Sequence, residues 1–126
     1  MNLNQITVPV LDVERSILFY QNLGLTLIVK ALPEYARFVC ENGQTTFSLH
    51  RVNKPANESG AWIYFEVEEL DEYVNTLTAK GFSFEEMPND KPWLWRESRL
   101  KDPDGNQIIL YYAGDNRINP PWKIKE

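Results

Sequence analysis

The chain contains an internal repeat, and this repeat limits its possible folds more than any other feature. Residues 6–27 read ITVPVLDVERSILFYQNLGLTL, and residues 63–84 read IYFEVEELDEYVNTLTAKGFSF. A constant offset of 57 positions pairs Asp12 with Glu69 and Gly24 with Gly81. Because a unit of this size needs a neighbouring unit to bury its apolar face, we expect a single domain, residues 1–126, built from two modules.

The first module is predicted to span about residues 5–52 in the order β-α-β-β-β. Asp12 is suited to cap a helix whose apolar positions begin at Val13, and Gly24 is suited to end it. Alternation and turn residues predict strands at residues 5–10, 25–30, 35–40 and 45–52. The following segment NKPANESG, residues 53–60, has the composition of a linker.

The second module, about residues 61–112, is predicted to repeat this order. Glu69 is the expected cap of a helix over residues 70–80, and Gly81 is its expected end. Strands are predicted at residues 62–67, 82–87, 93–100 and 107–112. The sequence DPDGN at residues 102–106 predicts a tight turn that accounts for both of its carboxylates without catalysis. The tail, residues 113–126, is expected to lack regular structure.

Composition and charge exclude several classes of partner. The 126 residues carry a formal net charge of -5, and the basic residues are scattered, which argues against a nucleic-acid partner. No apolar run has the length of a membrane span, and the N-terminal residues do not resemble a secretory signal. Cys40 is the single cysteine, which excludes an internal disulfide and fits a reducing compartment. We therefore expect a cytoplasmic protein with no nucleic-acid or membrane partner.

Two motifs accompany the repeat: V-x-D-x-x-x-S-x-x-F-Y, which begins at Val10, and DPDGN-x-I, which begins at Asp102. In this order they resemble the vicinal oxygen chelate superfamily of glyoxalase I, extradiol dioxygenases, fosfomycin-resistance enzymes and bleomycin-resistance proteins. The resemblance covers about residues 5–112. It implies an α+β fold in which two repeated βαβββ modules form a cupped mixed sheet with helices on the outer face. It also implies a ligand site on the concave face, a homodimer, and a divalent metal in the enzymatic members.

The resemblance places metal ligands on the first and last strand of each module. In this chain the four positions hold Gln5, Ser48, Trp62 and Ile109. Glutamine can supply an oxygen ligand, serine is a poor ligand, and tryptophan and isoleucine supply none. A single oxygen ligand does not hold a catalytic metal against water. We therefore expect no metal or other cofactor at the usual positions, with a shifted site of Gln5, His50 and Glu97 as the alternative.

Strand alternation predicts which side chains face the ligand. If Phe47, Leu49, Ile108 and Leu110 turn toward the helices, the opposite face carries aromatic rings and hydrogen-bonding groups, which is typical of a small-molecule site. The predicted ligand-binding residues are Gln5, Thr7, Ser48, His50, Trp62, Tyr64, Trp95, Ile109 and Tyr111. The alternative is that these aromatic side chains fill the cup by packing against each other or against a partner chain.

Two functions remain open at this point. The first is a metal-free protein that binds a small, aromatic molecule, in the manner of bleomycin-resistance proteins. The second is a glyoxalase-like enzyme, a lyase or isomerase acting on a small carbonyl compound, with His50 as base and Glu97 as its partner. The sequence also allows a structural role, in which His50 lies at the rim and Glu97 pairs with Arg96, Arg99 or Arg51. Glu66 lies near a strand end, and contact with solvent explains it as well as a role in the site does.

Overall fold

The computed structural model describes residues 3–55 and 60–124. They divide into two compact units: the first runs up to Gly60 and includes Asp102–Asn106, and the second holds Ala61–Lys101 and the residues from Gln107 onward. Part of the predicted linker, residues 56–59, lies outside the described residues. Among the described residues, no helix has the length and apolar content needed to cross a membrane.

The first unit is a four-stranded mixed sheet with one helix, α1. Its strands are β1 (Gln5–Val10), β2 (Thr26–Ala31), β3 (Tyr35–Val39) and β4 (Thr46–Arg51), and α1 spans Val13–Leu23. The strand order is β1-β4-β3-β2, with β1 parallel to β4 and the other pairs antiparallel. The Asp12 side chain accepts a hydrogen bond from the Arg15 backbone N–H at 3.1 Å, and Gly24 ends the helix with φ 128°. The predicted cap and stop of this helix are therefore confirmed.

The core of the first unit forms where α1 covers the sheet. Tyr20 is fully buried, and its ring lies 5.9 Å from that of Phe38 and 4.7 Å from that of Phe47. Apolar side chains at helical spacing, Val13, Ile17 and Leu23, are buried on the same helix. The face of the sheet opposite this core is left for other contacts.

The DPDGN segment forms the predicted turn, and its carboxylates are held by the first unit. Asp102 is buried and accepts hydrogen bonds from the Tyr20 hydroxyl at 2.7 Å and from the Asp104 and Asn106 backbone N–H groups at 2.9 and 2.8 Å. Asp104 accepts from the Leu11 backbone N–H and from Arg15, each at 2.9 Å. Both acidic side chains therefore have structural partners. Burial, followed by the Asp102 charge and hydrogen bond, raises the pKa of Tyr20 well above its usual value.

The second unit repeats the arrangement. Its strands are β5 (Trp62–Glu66), β6 (Glu86–Asp90), β7 (Arg96–Lys101) and β8 (Gln107–Tyr112), and α2 spans Leu70–Ala79. The strand order is β5-β8-β7-β6, with β5 parallel to β8. Leu70, Val74 and Leu77 form the buried stripe of α2. The α+β fold of two βαβββ modules is confirmed.

Three local predictions in the second unit are wrong. The strand expected at residues 82–87 lies instead at Glu86–Asp90, where a register shift surrounds Pro88, which has no N–H to donate. The strand expected from Trp93 begins at Arg96, because Leu94 donates to the Lys91 carbonyl at 3.0 Å and adopts φ 67° in a turn. Glu69 occupies the N-cap position of α2, but its side chain makes no capping hydrogen bond.

The tail also departs from expectation. Residues Gly114–Arg117 form a short 3-10 helix, where the sequence predicted no regular structure. Glu66, for which the sequence left contact with solvent open, binds the tail: one carboxylate oxygen accepts from the Ala113 and Gly114 backbone N–H groups, both at 2.9 Å. The other oxygen lies 3.9 Å from Arg117. Glu66 therefore anchors the start of this helix.

Candidate functional site

Each unit presents a group of functional side chains on the face of its sheet opposite its helix. In the first unit we call this group the polar face, formed by Gln5, Thr7, Tyr35, Arg37, Thr46, Ser48 and His50. The Gln5 side-chain amide donates to Ser48 Oγ at 2.7 Å and to Thr7 Oγ1 at 3.0 Å, and its oxygen accepts from Thr46. Strand register explains these contacts, because Thr7 lies directly opposite Ser48.

Tyr35 and Arg37 extend this network onto β3, and neither was predicted as a site residue. Ser48 and the Tyr35 hydroxyl share a hydrogen bond of 2.7 Å, and Arg37 Nε donates to the Tyr35 oxygen at 2.8 Å. Burial raises the pKa of Tyr35, but the hydrogen bonds from Ser48 and Arg37 and the Arg37 charge outweigh burial and lower it overall. Their alternation along residues 35–40 was visible, but the face became assignable only from the pairing with β4.

His50 lies at the exposed end of the polar face. It is paired in register with Tyr35 on β3 and with Pro9 on β1, and it is exposed to solvent. Among the residues that the structure describes, none forms a hydrogen bond or ion pair with its imidazole. Its place at the rim of a cup and its catalytic role both stay predictions.

The second unit presents what we call the aromatic face, formed by Trp62, Tyr64, Trp93, Trp95, Glu97, Arg99, Ile109 and Tyr111. The Trp95 and Tyr111 rings stack with centroids 4.8 Å apart, and the Tyr64 ring meets both edge-on, at 6.0 and 5.3 Å. Ile109 is fully buried in a cluster with Tyr111, against which Trp95 packs. Trp62, Tyr64 and Trp93 remain 53%, 40% and 44% exposed. Part of this face is therefore filled by its own rings, and part is open.

Glu97 is the buried carboxylate of the aromatic face. It is 3% exposed, and the Trp93 indole donates to it at 2.7 Å. It forms no ion pair with any described residue, so the alternative that it pairs with an arginine is wrong. Two of those arginines have other partners: Arg96 binds Asp71 at 2.8 Å, and the Arg99 guanidinium lies 4.4 Å from the Trp62 ring centroid.

The third arginine considered, Arg51, pairs with Glu34 at 3.0 Å. The Glu97 charge is felt by its neighbour Tyr64. Burial is the main cause that raises the pKa of Tyr64, Glu97 adds to it, and Arg99 opposes it. The electrostatic balance around Tyr64 is therefore set on the aromatic face itself, by one buried carboxylate and one guanidinium.

The residues at the four family metal positions do not fit a divalent metal. Gln5 and Ser48 use their polar atoms on each other and on neighbouring hydroxyls. The Trp62 ring is covered on one side by Arg99, and Ile109 is aliphatic and fully buried. Within residues 3–55 and 60–124, no group of three or more His, Cys, Asp or Glu side chains could hold a metal ion. No step of a mechanism can be assigned to a metal at these positions.

Comparison with known proteins agrees with the fold and the repeat. Residues 2–110 match the Glyoxalase/Bleomycin resistance protein/Dioxygenase superfamily, and the chain belongs to this superfamily. It is 32% identical over 127 residues to "Uncharacterized protein YraH" of Bacillus subtilis (strain 168), covering 88% of this chain and 98% of that protein. It is 29% identical over 120 residues to a probable trivalent organoarsenical cleaving enzyme of the same strain, covering 86% and 78%.

A solved structure shows the same fold. The member of this superfamily from Sphaerobacter thermophilus DSM 20745 superimposes with a TM-score of 0.72 at 26% sequence identity. The match covers 89% of this chain and 97% of that chain. The two-module architecture read from the repeat is thus the architecture of a relative of known structure.

Proposed function

We propose that this protein binds a small organic molecule with a flat ring through the aromatic face of its second unit. The observation that carries the proposal is the exposure of three aromatic side chains around a buried carboxylate. Trp62, Tyr64 and Trp93 each keep 40% or more of their surface in contact with solvent, while Glu97 is 3% exposed. Large exposed rings on one face are costly to leave in water and favour a ligand or partner that covers them.

The rings that pack against each other give this face a rigid base. The Trp95–Tyr111 stack and the edge-on Tyr64 ring fix one another, so the exposed side of Tyr64 has a defined orientation. A flat ligand can stack on Trp62 or Tyr64 without first ordering these side chains. Such preorganisation reduces the conformational entropy that binding would otherwise cost.

Glu97 indicates that the ligand carries a hydrogen-bond donor. A buried carboxylate that accepts one indole N–H keeps further acceptor capacity and has no cationic partner among the described residues. A ligand with an N–H group or a protonated amine next to its ring would supply the missing donor. Arg99 beside Trp62 weakens the attraction for a cation, so the hydrogen bond is the larger expected contribution.

Replacing Trp62 with alanine tests the binding face. We expect it to weaken the binding of ring-containing ligands by about 2- to 10-fold, because one stacking contact is lost. The ligands are first found by thermal-shift screening of aromatic amines, phenols and nitrogen heterocycles, and their dissociation constants are then measured by calorimetry. Trp122→Ala is the matched control, because Trp122 is 58% exposed in the tail.

Equal weakening by Trp62→Ala and Trp122→Ala would contradict the proposal, since the effect would then be unrelated to the aromatic face. Failure of every ring-containing ligand to raise the melting temperature of the unaltered protein would also contradict it. A specific effect of Trp62→Ala, with the melting temperature of the free protein unchanged, supports it.

The second candidate function is a glyoxalase-like enzyme that uses His50 in acid–base chemistry. The similarity to a probable trivalent organoarsenical cleaving enzyme of Bacillus subtilis favours considering catalysis. His50 is exposed on the polar face and has no competing partner among the described residues, so a substrate could reach it. The roles of Glu97 and of a shifted metal in this alternative stay predictions from the sequence.

If this alternative is correct, His50→Ala lowers the turnover rate of small carbonyl compounds by about 100-fold or more, because a positioned acid or base contributes at least that factor. Turnover is measured with and without added divalent metal, after elemental analysis of the purified protein. Thr45→Ala, an exposed change one residue before the same strand, is the control. Unchanged turnover in His50→Ala would remove His50 from the mechanism.

A further inference from the structure

The polar face of the first unit contains hydrogen-bond donors that no described residue uses. We propose that Arg37 and Tyr35 form a binding site for an oxyanion, the carboxylate or phosphoryl group of a small molecule. The proposal rests on the hydrogen-bond network of the first unit alone. A failure of this proposal would leave the proposed function of the second unit unaffected, and the reverse also holds.

The direction of each hydrogen bond in the network follows from which atoms carry protons. The Gln5 side-chain nitrogen can only donate, so Ser48 Oγ is the acceptor of their 2.7 Å hydrogen bond. Ser48 is fully buried, and its own proton therefore needs an acceptor within the protein. The Tyr35 oxygen, 2.7 Å away, is that acceptor. Ser48 thus donates to Tyr35.

The Tyr35 oxygen accepts a hydrogen bond from Ser48 and another from Arg37 Nε, the latter at 2.8 Å. With both acceptor positions occupied, the phenolic proton is left to point away from the network. Tyr35 therefore presents a free O–H donor next to a guanidinium group.

Arg37 donates a hydrogen bond only through its Nε. Its two terminal nitrogens form no hydrogen bond or ion pair with any residue that the structure describes. Its guanidinium lies 5.4 Å from the Tyr35 ring centroid, which holds the two side chains together. Two other arginines of the first unit are paired: Arg51 with Glu34 and Arg15 with Asp104. Arg37 is thus a positive charge that no carboxylate of the described residues neutralises.

A hydroxyl donor beside an unpaired guanidinium selects its ligand by chemistry. Both groups donate and neither offers an acceptor, so the ligand must supply acceptor oxygens, and a negative charge on them would be attracted to the guanidinium. A carboxylate or phosphoryl oxygen pair accepts from both, and the planar guanidinium suits such two-point contact. The lowered pKa of Tyr35 agrees, because it shows that this location stabilises negative charge on oxygen.

The test compares two arginines of the same unit. Inorganic phosphate and benzoate are titrated into the unaltered protein, Arg37→Gln and Arg51→Gln, and dissociation constants are measured by calorimetry or NMR. We expect Arg37→Gln to weaken the binding of both probes by about 10-fold or more, as for a lost charge-assisted hydrogen bond. Arg51→Gln removes the same charge from an exposed pair and should change affinity by less than about 2-fold.

Two further variants make the test specific. Tyr35→Phe should weaken both probes while leaving the fold intact, and benzamide, which lacks the negative charge, should bind less tightly than benzoate. If Arg37→Gln proves unfolded, Arg37→Lys replaces it, and loss of affinity is still expected because the fork of donors is lost. No binding of phosphate or benzoate at millimolar concentration overturns the proposal. Equal loss in Arg37→Gln and Arg51→Gln also overturns it.

Discussion

Replacing Asp102 with alanine should lower the free energy of unfolding by about 3 kcal/mol, one of the largest effects that a single side chain of this protein can have. Asp102 accepts hydrogen bonds from the buried Tyr20 hydroxyl and from two backbone N–H groups of its own turn. Alanine leaves the Tyr20 hydroxyl buried without its acceptor, which costs more than the hydrogen bond itself contributes. Urea unfolding monitored by circular dichroism measures the change.

Tyr20→Phe separates the two halves of this contact. It removes the hydroxyl together with its need for an acceptor, so we expect a smaller loss, about 1 kcal/mol. In the double variant the Asp102→Ala cost should be reduced, and the difference gives the coupling energy of the pair. Additive effects, or an Asp102→Ala cost below about 0.5 kcal/mol, would show that the turn is held by its backbone alone.

Placing a glutamate at Ile109, the position where the superfamily resemblance expects a metal ligand, should destabilise the protein by about 3 kcal/mol at pH 7. Ile109 is fully buried in a cluster with Tyr111 and Ala113. The nearest cation in strand register is Arg99, directly opposite Ile109 on β7, but its guanidinium lies over the Trp62 ring, 4.4 Å from the ring centroid. We therefore expect burial to outweigh this charge and to raise the pKa of the new carboxylate above the unfolded value of about 4.3.

This raised pKa gives the loss a definite pH dependence. Below the unfolded pKa both states are protonated, and only the smaller cost of burying a neutral polar group remains. As pH rises above it, the unfolded state ionises first, and the penalty grows. Ile109→Gln is the control, with a loss that does not change between pH 4 and 8. Equal losses for Ile109→Glu and Ile109→Gln at pH 7 would mean that the site accepts charge.

The Ile109 result concerns a position that the superfamily resemblance assigns to a metal ligand. In this chain the side chains at such positions are used for packing and for hydrogen bonds within each unit. In the first unit, Gln5 and Ser48 bind each other, and in the second, Ile109 is part of an apolar cluster. We therefore expect a single substitution at Ile109 to cost stability before it could supply a ligand.

Much of the fold followed from local sequence patterns. The offset of 57 positions gave both modules, and Asp12 and Gly24 bound the first helix where expected. Strand alternation also placed Gln5, Thr7 and Ser48 on one face, and their side chains are in contact. These features depend on residues a few positions apart, so a periodicity of two or 3.6 is enough to find them.

The errors arose where a partner is distant in the sequence or a turn alters the path. Arginine was the expected partner of Glu97, yet the turn at Leu94 brings the Trp93 indole to it instead. Solvent contact was an equally good explanation for Glu66 because the backbone N–H groups that donate to it lie 47 and 48 residues away, in the tail. Opposite charge is a poor guide to pairing when geometry and burial decide which donor is in reach.

The sequence alone determined that this protein consists of two βαβββ modules of the glyoxalase superfamily. It also determined that Gln5 is the one suitable ligand among the residues at the four usual metal positions. These facts lie in local patterns and in residue identity. Only the tertiary structure decided that Tyr35 and Arg37 join Gln5 and Ser48, and that Glu97 is buried beside an indole. The physical reason is that strand register and burial come from contacts between distant segments, and these contacts set which polar groups are left free for a ligand.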